Sequence, residues 1–256
     1  MDLNALWPLS TTYALVLLRV MGLLAVALPF AAPWVPAATR ALLALVLAFL
    51  LVPTAQVWAE TNGWGFAAAA VSELVLGLAM GFMTLLIFLA VQGAGDLVDI
   101  DMGFGLAHVM DPQFGGRAPL MGSFMHILAV LAFLGFNGHH HILRALADSF
   151  QWIPPGQAAW GEATLVAVAR QFGWVFVTAL RLAIPVLAAL LILHAVFGIL
   201  ARSMPQLHVL VVAMPAKVAI GLIAVSFSLP VLLYLLEGEW PSVVAGVTAF
   251  VRSLAP

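Results

Sequence analysis

Residues 64–92 read WGFAAAAVSELVLGLAMGFMTLLIFLAVQ, and Glu73 is their single charged side chain. A helix that crosses a bilayer needs ~20 mostly apolar residues. This stretch meets that requirement by itself, and the rest of the chain repeats it. The protein is 64% hydrophobic and 8% charged, with a mean hydropathy of +1.14. A soluble domain carries about 25% charged residues. So much apolar surface does not fit one globular core, and the alternating short segments of a β-barrel are absent from the pattern. The reading is an all-α, polytopic membrane protein.

Working outward, five further apolar runs are expected to form helices, at about 12–30, 41–58, 120–147, 163–201 and 209–236, with a last short helix at 241–254 after EGEWP. Pro33 and Pro36 in AAPWVPAATR separate the first two. Pro185 and Pro230 lie inside later runs and are expected to break or kink them. Two connections are polar enough to be loops, 96–118 and 148–162, the second centred on Pro154, Pro155 and Gly156. The N-terminus MDLNALWPLS has no basic region and no cleavage-like site, so the first run reads as a retained span. Placing the 202–217 turn in the cytoplasm puts Arg40 and Arg117 on the same side, and Arg144, Arg170 and Arg252 nearer the other.

The formal net charge of −2 points to no nucleic-acid partner, and the lack of cysteine removes disulfide, thiolate and Cys–metal chemistry. Gly77 and Gly81, four apart in GLAMG, have the spacing that lets helix backbones approach in lipid. Arg19, Glu73, Arg181 and Lys217 fall inside apolar runs. An ionised group at mid-bilayer costs roughly 2.5–3.5 kcal/mol on insertion scales, so such groups pair or face water. Glu73 reads as one half of a structural ion pair, within the chain or with a neighbouring subunit, in preference to a proton relay. His139, His140 and His141 are consecutive, so they point around a helix and not at one ion. Asp96, Asp99 and Asp101 read as a solvated helix end. No nucleophile elbow, phosphate loop or zinc-helix motif is present, so no enzymatic activity, cofactor or metal is expected.

Residues 109–122, VMDPQFGGRAPLMG, interrupt the apolar pattern. Gly115 and Gly116 free the backbone, Pro112 and Pro119 forbid helix continuation, and Met110, Met121 and Phe114 are pliable or bulky apolar groups. Irregular backbone at membrane depth is tolerated only where protein buries it or water lines it. The residues themselves fit an ordinary exposed loop as well as a segment that closes a conduit.

Three further stretches join this one in a resemblance. GFGLAHVMDPQFGGRAPLMGSF, FLGFNGHHHILRALADSFQWIPPG, GILARSMPQLHVLVVAMPAKVAIGL and LVLLRVMGLLAVALP resemble the FliR family of flagellar biosynthetic proteins, part of the type III protein export gate. The resemblance spans essentially the whole chain. It implies a FliP-like helical part at 1–160 and a FliQ-like hairpin with a short C-terminal helix at 161–256, with about six Pro-broken helices arranged as hairpins. It implies a hetero-oligomer with FliP-like and FliQ-like subunits that engages FlhB-like and FlhA-like proteins. That assembly would sit in the inner membrane at the flagellar basal body and pass unfolded rod, hook and filament subunits. It also implies that 105–120 is a plug, with Met110, Asp111, Pro112, Phe114, Gly115, Gly116, Arg117 and Met121 in it. Arg202, Pro205, Gln206, Pro215 and Lys217 would form the cytoplasmic hairpin turn. The injectisome counterpart is the nearest alternative. A small-solute transporter built on Glu73, Arg181 and Pro185, and a His-based intramembrane metalloenzyme, are the readings from other classes.

Overall fold

The computed structural model describes residues 3–58, 63–104, 119–204 and 209–255. Seven α-helices are found among them: α1 Leu3–Val26, α2 Ala37–Leu51, α3 Gly63–Met102, α4 Leu120–Gly135, α5 Gly138–Trp152, α6 Glu162–Ser203 and α7 Val209–Arg252. A single 3₁₀ turn, Val52–Thr54, follows α2. Five helices are long and apolar enough to cross a membrane, six if α4 and α5 together count as one crossing.

The break between α1 and α2 falls at the prolines, as the sequence predicts, and Pro36 occupies the N-cap of α2. Other boundaries differ from expectation, and the loops expected at 96–118 and 148–162 begin later, because α3 runs on to Met102 and α5 to Trp152. The run at 120–147 is two helices, because Asn137 adopts the left-handed conformation (φ 57°) and interrupts the helical hydrogen bonds. Asn is among the few residues that tolerate that region. Pro185 and Pro230 do not end their helices: α6 and α7 continue past both. A proline deletes one amide donor, and in an apolar setting the remaining intrahelical bonds hold the backbone on either side. The separate C-terminal helix expected after EGEWP is likewise absent, since α7 runs without interruption through Pro241 to Arg252.

The chain divides into two compact units. The first comprises Met1–Ile87, Asn137–Gly173 and Trp240–Pro256. Its core includes Leu15, Trp58 and Ala69, with Trp58 and Phe66 edge to face at 5.7 Å. The amide of Ala159 donates to the carbonyl of Leu254 (2.9 Å), which ties the chain end to the 154–161 connection. The second unit comprises Phe88–Phe136 and Trp174–Glu239. There Phe88 meets Phe133 edge to face at 5.5 Å. The buried residues of α4, namely Met121, Gly122, Met125, Ala129, Ala132 and Phe133, recur at helical spacing along one face.

Candidate functional site

Two constellations carry the polar chemistry of the described residues, one in each unit. In the first unit, α1 and α3 cross at glycines. A Cβ on Gly77 would collide with the carbonyl oxygen of Arg19, one on Gly81 would lie 2.7 Å from the carbonyl oxygen of Leu23, and one on Gly22 would lie 2.6 Å from that of Leu74. Such contact is open only to residues without side chains. It brings Arg19 and Glu73, both fully buried, side by side. Arg19 Nε donates to Glu73 Oε2 at 2.6 Å and Nη2 donates to Oε1 at 2.9 Å, a bidentate pair. Two of the three remaining donors are also used: Nη1 bonds Ser149 Oγ (3.0 Å) and Nη2 bonds the carbonyl of Ile153 (3.1 Å). The guanidinium carbon stands 4.2 Å from the centre of the Phe150 ring.

Glu73 takes one further bond, from the amide of Gly156 at 2.9 Å. Pro154, Pro155 and Gly156 form a type II turn, with Gly156 at φ +78° and the Gln157 amide returning to the carbonyl of Pro154 (3.1 Å). A Cβ at Gly156 would lie 2.8 Å from Trp58 Nε1, so both conformation and space require glycine. One ion pair thus joins α1, α3, α5 and the turn after α5. Glu73 itself accepts three hydrogen bonds while fully buried.

The second constellation lies in the other unit, where α3 ends and α4 begins, on either side of residues 105–118. The end of α3 is closed by a Schellman motif. Gly103 is at φ +91°, its amide bonds the carbonyl of Ile100 (3.1 Å), and the Phe104 amide bonds that of Asp99 (3.2 Å). The start of α4 has no side-chain cap of its own after Pro119. Asp99 supplies one from α3: its Oδ1 accepts the Met121 amide at 3.1 Å, and the residue is only 2% exposed. The backbones touch at the same level, where a Cβ on Gly95 would lie 2.7 Å from Gly122 Cα and one on Gly122 would collide with Asp96 Oδ1. The expectation of a solvated acidic end is therefore corrected for Asp99, which is buried because it caps a neighbouring helix. Asp101, by contrast, is half exposed and lies 3.7 Å from Nδ1 of His194.

Other residues fall apart from these clusters. Arg181 is not buried: its side chain is 64% exposed, 3.9 Å from Glu239 Oε1, because α6 turns that face out of the chain. Glu239 Oε2 accepts the indole NH of Trp174 at 3.1 Å. His139 and His140 lie with ring centres 4.2 Å apart, His140 and His141 are exposed, and no three metal-ligating groups converge among the described residues. Arg202 and Pro215 are exposed and Lys217 is half buried. Met110, Asp111, Pro112, Phe114, Gly115, Gly116, Arg117, Pro205 and Gln206 lie outside the described residues. Sequence reasoning missed Ser149, Phe150, Gly22, Gly95, Gly122 and the capping role of Asp99. Only Gly22, three residues after Arg19 in RVMG, offered a local signal.

The family model for bacterial export proteins, family 1, matches residues 10–242. The flagellar biosynthetic protein FliR of Escherichia coli is 30% identical over 228 residues, 88% of this chain and 84% of that protein. The FliR of Bacillus subtilis is 38% identical over 157 residues, 60% of this chain and 61% of that protein, so the match takes in under two thirds of its length. The secretion system apparatus protein SsaT of Salmonella typhimurium is 27% identical over 171 residues, 65% of this chain and 66% of that protein. With a family match covering nearly the whole chain, and a relative 30% identical over 88% of it, this protein belongs to the FliR family of bacterial export proteins.

Proposed function

We propose that the chain is a structural, non-enzymatic subunit of the flagellar type III protein export gate, helping to conduct unfolded rod, hook and filament subunits across the inner membrane. The family match over residues 10–242 carries this reading. In it the chain assembles with FliP-like and FliQ-like subunits and engages FlhB-like and FlhA-like proteins. Residues 1–160 act as the FliP-like part and 161–256 as the FliQ-like hairpin, whose 202–217 turn faces the cytoplasm.

Residues 105–120 act as a plug. Two observations support that role physically. The segment is held at one end by the Gly103 closure of α3 and at the other by the Asp99 cap on Met121. The Gly95–Gly122 contact fixes the distance between those ends. Soft and bulky apolar side chains such as Met110 and Phe114, set between two such anchors, suit a seal around passing chains of many sequences. Deleting residues 110–117 tests this. The expected result is normal assembly with a membrane that leaks ions; an unchanged conductance in an assembled complex removes the plug.

The match to SsaT favours one second reading, a subunit of a secretion apparatus outside the flagellum. Co-purification from the native membrane separates the two by the identity of the accompanying subunits.

A further inference from the structure

An open cleft of about 210 Å³ lies between α1 and the first two turns of α2, lined by Met21, Leu24, Ala25, Arg40, Ala41 and Ala44. Arg40 is the one charged group in that lining. Its Nε is buried without a hydrogen-bond partner, and the guanidinium makes no ion pair among the described residues. The helix gives it no compensation, because Arg40 sits in the first turn of α2, at the positive end of the helix dipole, with no acidic residue in that turn. A half-buried guanidinium whose Nε has no partner, set beside an apolar cleft, calls for an anion attached to hydrocarbon.

The surroundings identify the source. The outer face of α2 presents Leu42, Val46, Phe49 and Leu50 to its environment, as a lipid-facing helix does. Trp34, 69% exposed in the Pro-rich turn before α2, is the kind of residue that sits at headgroup level. Pockets for whole small-molecule ligands run to about 300–1,000 Å³, so this cleft takes part of a ligand whose remainder lies elsewhere. A docking helix would bury a stripe along several turns, whereas the cleft stops at Ala44. We propose that this cleft is a binding site for one anionic phospholipid, with its phosphate on Arg40 and one acyl chain against Met21, Ala25 and Ala41. Basic pockets between transmembrane helices are known to select such headgroups. The proposal rests on the α1–α2 pair and not on the export reading.

The test uses the full chain, purified in mild detergent with the subunits that accompany it. Thermal unfolding is followed with added phosphatidylglycerol, phosphatidylcholine or glycerol 3-phosphate. Phosphatidylglycerol is expected to raise the midpoint, and the other two are not. R40Q should lose that shift and R40K should keep part of it. Ala41→Phe, which fills the cleft from an exposed position, should lose it with the charge intact. Three outcomes overturn the proposal: an equal shift with phosphatidylcholine, a shift with glycerol 3-phosphate alone, or an R40Q protein that keeps the shift. An R40Q protein that keeps the shift and sheds an accompanying subunit assigns Arg40 to a protein contact instead.

Discussion

Substituting Glu73 by alanine should be among the costliest single changes in this chain. The carboxylate accepts three bonds, from Arg19 Nε, Arg19 Nη2 and the Gly156 amide, at 2.6, 2.9 and 2.9 Å. Its removal leaves a fully buried guanidinium with only Ser149 Oγ, the Ile153 carbonyl and the Phe150 ring, and it orphans the Gly156 amide. Breaking a buried pair from one side typically costs about 3–5 kcal/mol. At ~1.4 kcal/mol per decade, that is roughly two to three and a half orders of magnitude in the folding equilibrium. Most of this is the penalty of the stranded charge, so removing both partners should cost less than the two single changes together. The assay is a double-mutant cycle of Glu73→Ala, Arg19→Met and the double variant, read by unfolding of the purified protein and by recovery of intact complex from the membrane. The singles should each lose most of the recoverable complex, and the double should regain a substantial part. Single costs below ~1 kcal/mol, or strictly additive costs, would refute the idea that the pair holds α1, α3, α5 and the 154–157 turn together.

The glycine crossing gives a sharper contrast. Gly77→Ala places a methyl group on the Arg19 carbonyl and should separate α1 from α3, lowering stability and complex yield, whereas Gly198→Ala, with nothing within 4 Å, should be neutral or stabilising by up to about 1 kcal/mol. Asp99→Ala removes the cap on α4 and should cost about 0.5–2 kcal/mol; faster hydrogen exchange at the Met121 amide is the readout, and unchanged protection there would mean the cap contributes nothing.

Much of the architecture was legible because membrane insertion is governed by local composition. Each apolar run identifies itself within ~20 residues, and a proline pair outside a helix, as at Pro33 and Pro36, marks a boundary without any distant contact. The same local logic misled at Pro185 and Pro230, where helix continuity depends on neighbouring bonds and not on the proline alone. It also overlooked Asn137, whose left-handed backbone separates the apolar α4 from the more polar α5.

The sequence by itself determined the class of the protein, the approximate positions of its long helices, the presence of ionisable groups within them to be explained, and the family resemblance. It did so because hydropathy and motif spacing are properties of adjacent residues. Which groups meet was decided only by the tertiary structure. Arg19 reaches Glu73 across 54 positions, Ser149 across 130 and Ile153 across 134, while Asp99 caps a helix 22 residues away. No local pattern encodes those distances. They follow from glycines that let backbones touch, and from the cost of leaving any buried donor, acceptor or charge without a partner.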